Sequence, residues 1–141
     1  LTTLIIPGYN DSEEELDAMT AWVVEHLGPD VPMHFTAFHS DWKLTDAPPT
    51  PPATLTLARN LARRNGVRYA YTGNVHDREG GSTWCHRCGH CLIERDWYRI
   101  GAWGLDAEGR CAACGTPCPG TFESAPGTWG DRRLPVRVVG G

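Results

Sequence analysis

Cys85-His-Arg-Cys88-Gly89 and, after 21 intervening residues, Cys111-Ala-Ala-Cys114-Gly115 form the most informative stretch of this 141-residue chain. A Cys-x-x-Cys-Gly run is the form of a metal knuckle. Two thiolates project from one tight turn toward a common point, and the glycine permits a backbone that a Cβ would hinder. Two such turns supply four soft ligands, the closed tetrahedral set of a structural zinc site. Cys85, Cys88, Cys111 and Cys114 are therefore the expected zinc ligands.

Between the knuckles, Leu92-Ile-Glu-Arg-Asp-Trp-Tyr-Arg-Ile100 reads as two short strands around Arg95-Asp96, and Asp106-Ala-Glu-Gly109 reads as a second turn. The spacing predicts a zinc ribbon over 80–120. A unit of roughly 40 residues cannot fold on core burial alone, so the metal is expected to supply most of its folding free energy. Cys91 and Cys118 leave two other uses of sulfur open. Cys85, Cys88 and Cys91 form a Cys-x-x-Cys-x-x-Cys run and Cys118-Pro119 follows Cys114 at the ferredoxin interval, but a long insert splits a run that ferredoxins keep contiguous. Six cysteines also suffice for three disulfides, although no export signal is visible and paired knuckles favour metal. In the zinc reading Cys91 and Cys118 are buried or spare thiols.

With 40% hydrophobic and 21% charged residues, the composition is that of a soluble globular domain with a small appendage. No apolar run is long enough to cross a bilayer, so no membrane partner is expected and the reading places the chain in the cytoplasm, where thiols stay reduced. The net charge of −4 argues against a nucleic-acid-coating surface. Within the ribbon, Arg87, Arg95, Arg99 and Arg110 are matched by Glu94, Asp96, Asp106 and Glu108, which leaves no electrostatic footprint for phosphate; no nucleic-acid partner is expected.

Upstream of the ribbon, Leu1-Thr-Thr-Leu-Ile-Ile6 has the nearly continuous apolar pattern of a strand buried on both faces. Pro7-Gly-Tyr-Asn10 ends it. Ser12-Glu-Glu-Glu15 is a capping box that opens a helix over 13–27, stopped by Gly28-Pro29. Val31-Pro-Met-His-Phe-Thr-Ala37 is a second strand, followed by a proline-rich loop. Thr50-Pro51 starts a second helix that stops at Gly66, and Val67-Arg-Tyr-Ala-Tyr-Thr72 is a third strand. Strand, helix, strand, helix, strand with short links predicts α/β architecture with parallel strands and crossover helices. Three such strands do not close a barrel. The chain also opens on Leu1, inside an apolar run, as a piece of a longer protein would, and the missing strands are expected before it. Over 121–141 the chain becomes rich in glycine and proline, with a candidate edge strand at 134–139.

Several short motifs recur in one order: Thr3-Leu-Ile-Ile-Pro-Gly-Tyr-Asn-Asp11, His34-Phe-Thr-Ala-Phe-His39, Thr45-Asp-Ala-Pro-Pro-Thr50, Tyr71-Thr-Gly-Asn-Val75, Ile93-Glu-Arg-Asp96 and Cys114-Gly-Thr-Pro117. Together they resemble the carboxyl half of a radical S-adenosylmethionine (SAM) enzyme, with the closest match in the AmmeMemoRadiSam system radical SAM enzymes, relatives of the pyruvate formate-lyase activating enzymes. The resemblance implies that 1–79 is the carboxyl-terminal βαβαβ portion of a partial (β/α)6 barrel. Such a barrel holds a [4Fe-4S] cluster and SAM, and cleaves SAM reductively to a 5′-deoxyadenosyl radical. By the same resemblance Ile6, Pro7 and Gly8 pack against the adenine, and His39 lies near the ribose and carboxylate; His34 lines the barrel or its core.

The family's Cys-x-x-x-Cys-x-x-Cys cluster loop does not occur here, nor does its glycine-rich methionine-binding strand. The chain alone is therefore expected to bind zinc but to be catalytically inactive. The whole enzyme is expected to activate or modify a macromolecule, with the ribbon docking a protein partner beside the barrel mouth through Trp84, Trp97 and Trp103, or packing on the barrel through them. A zinc-ribbon module that binds protein or nucleic acid on a non-catalytic α/β scaffold is a second reading, and a purely structural module a third.

Overall fold

β1 (Thr2–Ile5), β2 (Met33–Ala37) and β3 (Ala70–Gly73) form a parallel sheet whose spatial order follows the chain. The helices α1 (Glu13–Leu27) and α2 (Pro52–Arg64) connect them and pack against each other, so both lie on one face of the sheet. The structure, a computed structural model, describes residues 1–127; the strand expected at 134–139 lies outside the described residues.

Local chemistry sets the helix ends. Ser12 Oγ accepts from the Glu15 amide at 3.3 Å, three glutamates occupy the first turn of α1, and Gly28 ends the helix at φ +89°, its amide bonded to Val24 O. α2 starts two residues later than Thr50 because Pro51 is the cap and Pro52 the first helical residue. Thr50 instead acts as a tie. Its hydroxyl donates to Ile5 O at 2.5 Å and accepts from the Phe38 amide at 2.9 Å, which fastens the long loop to the ends of β1 and β2.

Register divides the sheet into two unlike faces. Ile5, Met33, Phe35, Ala37 and Ala70 point toward the helices and are buried with Leu16, Val23, Leu55 and Leu61. Thr2, Leu4, His34, Thr36, Tyr71 and Gly73 alternate onto the other face, where Leu4 is 44% exposed and His34 is also exposed. The expectation that the first strand is buried on both faces is thus corrected. Nothing among the described residues covers Leu4, and His34 is on the open face rather than in the core. β3 also starts later than expected. Gly66 (φ +104°) leads the chain out of α2 and the Val67 amide still bonds Ala62 O, so Val67 serves as a core plug before the strand begins.

After β3 come a single helical turn, α3 (Arg78–Gly81), and an antiparallel sheet of β4 (Thr83–Trp84), β5 (Cys91–Asp96) and β6 (Arg99–Trp103) in the order β4-β5-β6. Asp77 caps α3 by accepting from the Gly80 amide at 2.9 Å, and its other oxygen accepts from Thr72 at 2.9 Å, which seats α3 on β3. The hairpin turn lies at Trp97-Tyr98 between the paired Asp96 and Arg99, two residues beyond the expected Arg95-Asp96. Turn polarity misleads there: the residue with positive φ is Trp97, at +53°. Only Trp97 of the three ribbon tryptophans is exposed; Trp84 is half-buried and its indole donates to Glu79 O, while Trp103 packs on the ribbon core.

Candidate metal centre and the sheet edge beside it

The two knuckles have the same backbone design. Cys85 O accepts from the Gly89 amide at 2.9 Å, and Cys111 O accepts from the Gly115 amide at 2.8 Å; the Cys85 and Cys111 amides donate to His90 O and Thr116 O. Gly89 and Gly115 have φ of +74° and +71°, and a Cβ at either would meet nothing within 4 Å. Glycine is required there by backbone conformation, not by crowding.

The four knuckle sulfurs converge. Cys85 Sγ lies 3.6 Å from Cys114 Sγ, Cys88 Sγ lies 3.7 Å from Cys111 Sγ, and all four lie within 4.8 Å of one another. A regular tetrahedron with metal–sulfur bonds of about 2.3 Å has edges of about 3.8 Å, close to both short separations. A disulfide needs about 2.05 Å, and all six cysteines are free. The chain therefore has a four-cysteine site of a size to hold a metal ion such as zinc. Cys91 and Cys118 stand outside the four-sulfur group, and burial pushes both thiols up.

The sulfurs are not equivalent before metal arrives. The Thr116 hydroxyl, 3.2 Å away, and the Thr116 amide hold Cys114 down to about 6. The His90 amide favours a Cys88 thiolate, but the Cys114 sulfur, burial and the other two sulfurs push it up to about 12. Cys114 is thus a ready thiolate and the natural first ligand. Four thiolates around one ion would form a closed S4 shell, which leaves no position for a substrate.

The four-cysteine site packs on the amino end of β3. Tyr69, just before that strand, is buried with Cys85, Leu92, Ile93, Leu105, Cys111 and Cys118, and its hydroxyl is 3.3 Å from His86 Nδ1, inside the first knuckle. Burial raises the Tyr69 pKa, so it stays a neutral phenol. From there the β5–β6 hairpin extends to the other end of β3, where the Trp97 indole donates to His76 Nδ1 at 2.9 Å and His76 Nε2 faces Asp96 Oδ1 at 3.6 Å.

At the carboxyl edge, Ile6, Pro7 and Gly8 follow β1, His39 follows β2 and Asn74 follows β3. The Ile6 amide donates to Asn10 Oδ1 at 2.7 Å and the Gly8 amide to Asp11 Oδ1 at 2.8 Å, so both donors are already engaged; Ile6 and Pro7 remain half-exposed apolar surface. His39 is exposed and makes no hydrogen bond among the described residues. Asn74, at φ +58°, donates to Ala37 O at 3.2 Å and holds the ends of β2 and β3 together.

Sequence reading misses a cleft of ≈ 600 Å³ between the open sheet face and the hairpin, lined by His34, Tyr71, Arg95, Trp97 and Tyr98 among others. Its residues come from four separated segments, and only the pairing register brings them together.

An α/β unit with a three-stranded parallel sheet and an appended four-cysteine centre is the class that fold and site define. The chain is 47% identical over 116 residues to the uncharacterized protein MJ0808 of Methanocaldococcus jannaschii, an alignment covering 82% of this chain and 35% of that protein. It thus spans about a third of the length of the curated relative it matches. No family model and no solved structure matches it. Among the described residues, no helix is long and apolar enough to cross a membrane.

Proposed function

We propose that this chain is the carboxyl-terminal part of a radical SAM enzyme, an AmmeMemoRadiSam-type relative of the activating enzymes, with zinc in the four-cysteine site. The observation that carries the reading is the sheet's asymmetry. Three parallel strands in chain order, with helices on one face only and the other face open along β1 and met by the ribbon only at β3, match the layout of a barrel wall seen from its lumen. Doubly wound sheets instead place helices on both faces. In a barrel, the carboxyl edge is where ligands bind, and Ile6, Pro7, Gly8 and His39 occupy that edge.

The iron–sulfur cluster has no seat here. No Cys-x-x-x-Cys-x-x-Cys occurs, and four of the six cysteines converge on one another in the ribbon. No step through the cluster is assigned to this chain. Reductive cleavage of SAM belongs to the whole enzyme. Ile6 and Pro7 would offer apolar surface to the adenine, and His39, exposed and uncommitted, would donate a hydrogen bond to the ribose or carboxylate. The ribbon would serve as a wall along the last strand, its hairpin tip beside the mouth where a macromolecular substrate approaches. Exposed Trp97 and Tyr98 at that tip also support the non-catalytic reading, a zinc-ribbon module that binds a protein.

Anaerobic reconstitution with iron, sulfide and zinc separates these readings. This chain alone should retain zinc and develop no iron–sulfur absorption near 400 nm; a chain extended upstream by the remaining two-thirds or so of the relative's length should develop that band and release 5′-deoxyadenosine from SAM, less in His39→Ala. An extended protein without band or cleavage would leave the binding module.

A further inference from the structure

The geometry points to a second binding site in this chain, in the cleft between β3 and the hairpin, for a small planar ligand carrying an oxyanion. Arg95 is the anchor. Its Nη1 donates to Thr83 Oγ1 at 2.6 Å and reaches Gly81 O at 3.5 Å, and its guanidinium carbon sits 5.8 Å from the centre of the Tyr71 ring. Tyr71 is fixed in turn by a 2.9 Å contact between its hydroxyl and Thr83 Oγ1, and by stacking on His34 at 4.8 Å and 26°. The guanidinium is therefore held in place on an aromatic floor.

The other charges around the cleft already have partners. Arg78 pairs with Glu94, Asp96 faces His76, and Asp77 accepts from the Gly80 amide and Thr72. Arg95 forms no ion pair with any described carboxylate. A half-buried guanidinium without a counter-ion, with Nε and Nη2 free of described acceptors, presents a fork suited to a carboxylate or phosphate. Desolvation by burial, and after it the nearby Arg95 charge, lower the His34 pKa, so the floor beside the fork adds no second cation at neutral pH.

The hairpin residues of the lining supply the other half of the recognition. Trp97 is a bulky residue at φ +53°, a conformation that is costly for it, and the bond from its indole to His76 holds it there. Trp97 and Tyr98 line the same cleft as His34 and Tyr71. A volume of ≈ 600 Å³ suits a ligand of small-molecule size. A lining with the stacked His34 and Tyr71 rings, Trp97 and Tyr98 favours a flat body, and the fork selects its acid group. The inference uses only groups of this chain and does not rest on the radical-enzyme reading.

The test is titration of the zinc-loaded chain, followed by the Trp97 indole N–H in nitrogen–proton spectra. Adenosine monophosphate and indole-3-carboxylate are the phosphate and carboxylate probes, with adenosine and indole-3-carboxamide as uncharged controls. At least one acid should shift the Trp97 signal saturably, and its control should bind roughly tenfold more weakly or worse. Arg95→Gln should abolish that difference. Should Arg95→Gln lose the ribbon's dispersed amide spectrum, Arg95→Lys carries the test: it keeps charge but not the fork, and should weaken the acid about tenfold. Equal binding of acid and control, full acid preference in a folded Arg95 variant, or no Trp97 shift with either acid would overturn the site.

Discussion

The helix-covered layer closes around Ile5, Phe35, Leu55 and Leu61, each 0–2% exposed, whereas the ribbon's centre sets Cys85, Cys111 and Cys118 beside Leu92, Ile93 and Leu105. The first core is hydrocarbon packed between a sheet and two helices. The second is too thin for that, and its convergent sulfurs stand where large side chains would otherwise be needed. A metal in that site would make adjacent pieces of one chain depend on different physics, and they should respond differently to the same insult.

Metal removal is the strongest discriminator. A structural zinc contributes about 10–16 kcal/mol of apparent binding free energy at neutral pH, more than a ribbon of this size retains by packing. Chelation, or Cys111→Ser, should abolish amide protection in β5 and β6 while β1, β2 and β3 stay protected in hydrogen exchange. A ribbon that stays protected without metal would erase the distinction between the two cores.

Phe35→Ala strikes the other core. Its ring is fully buried at the centre of the parallel sheet, so truncation should cost about 3–5 kcal/mol in denaturant titration and leave zinc affinity unchanged. Gly80→Ala addresses the joint. A Cβ there would lie 2.2 Å from both Asp77 Oδ2 and Thr72 Oγ1, the groups that seat α3 on β3, so a loss of about 1–3 kcal/mol is expected. If that loss appears in only one set of amides, the two cores melt separately; if it appears in both, α3 couples them.

The two regions also differ in how much of them is legible in the sequence. Apolar periodicity with Ser12 and Gly28 locates α1, because capping chemistry is local. The knuckles are equally legible, since Cys-x-x-Cys-Gly encodes its turn within five residues. Thr50 misleads as a helix starter because its real partners, Ile5 O and the Phe38 amide, lie 45 and 12 residues away. The open sheet face is hidden for a similar reason: whether Leu4 is covered depends on what packs there, not on the composition of β1. Arg95, Tyr71, Thr83 and His34 form a group only through strand register within each sheet and the contact between the two sheets, which no short window of sequence contains.

Protonation of the apo site offers a finer probe of the ribbon. Cys114, held down to about 6, is already a thiolate at pH 7.5 and gives up no proton when metal binds. Below about 6 it is protonated in the apo form and must release that proton. Proton release on zinc binding, from calorimetry in buffers of different ionisation enthalpy, should therefore rise by one as pH falls through about 6, steepening the affinity by about tenfold per pH unit. Thr116→Val should move this step upward. A release that is flat across that range would mean the Thr116 contacts do not single out Cys114.

The smallest effect belongs to the seam between the two helices of the layer. Asp17, on α1, accepts from Asn65 Nδ2 at 2.9 Å and pairs with Arg64 Nη2 at 3.0 Å; Asn65 first, then Arg64, hold its carboxyl below the usual range. A carboxyl depressed in the folded state contributes fully above its unfolded value, about 3.9, and the contribution is lost as pH falls through the folded value. The Asp17 and Arg64 side chains are 43% and 62% exposed, so solvent and salt screen the pair. Asp17→Asn should lower Tm at pH 7 by only about 2 °C, and its Tm should fall less steeply than that of the parent as pH drops below about 4. If Asp17→Asn instead costs as much as Phe35→Ala, the helices are held to each other by their polar seam more than by the apolar layer beneath, and the contrast between a hydrocarbon core and a metal core has been drawn in the wrong place.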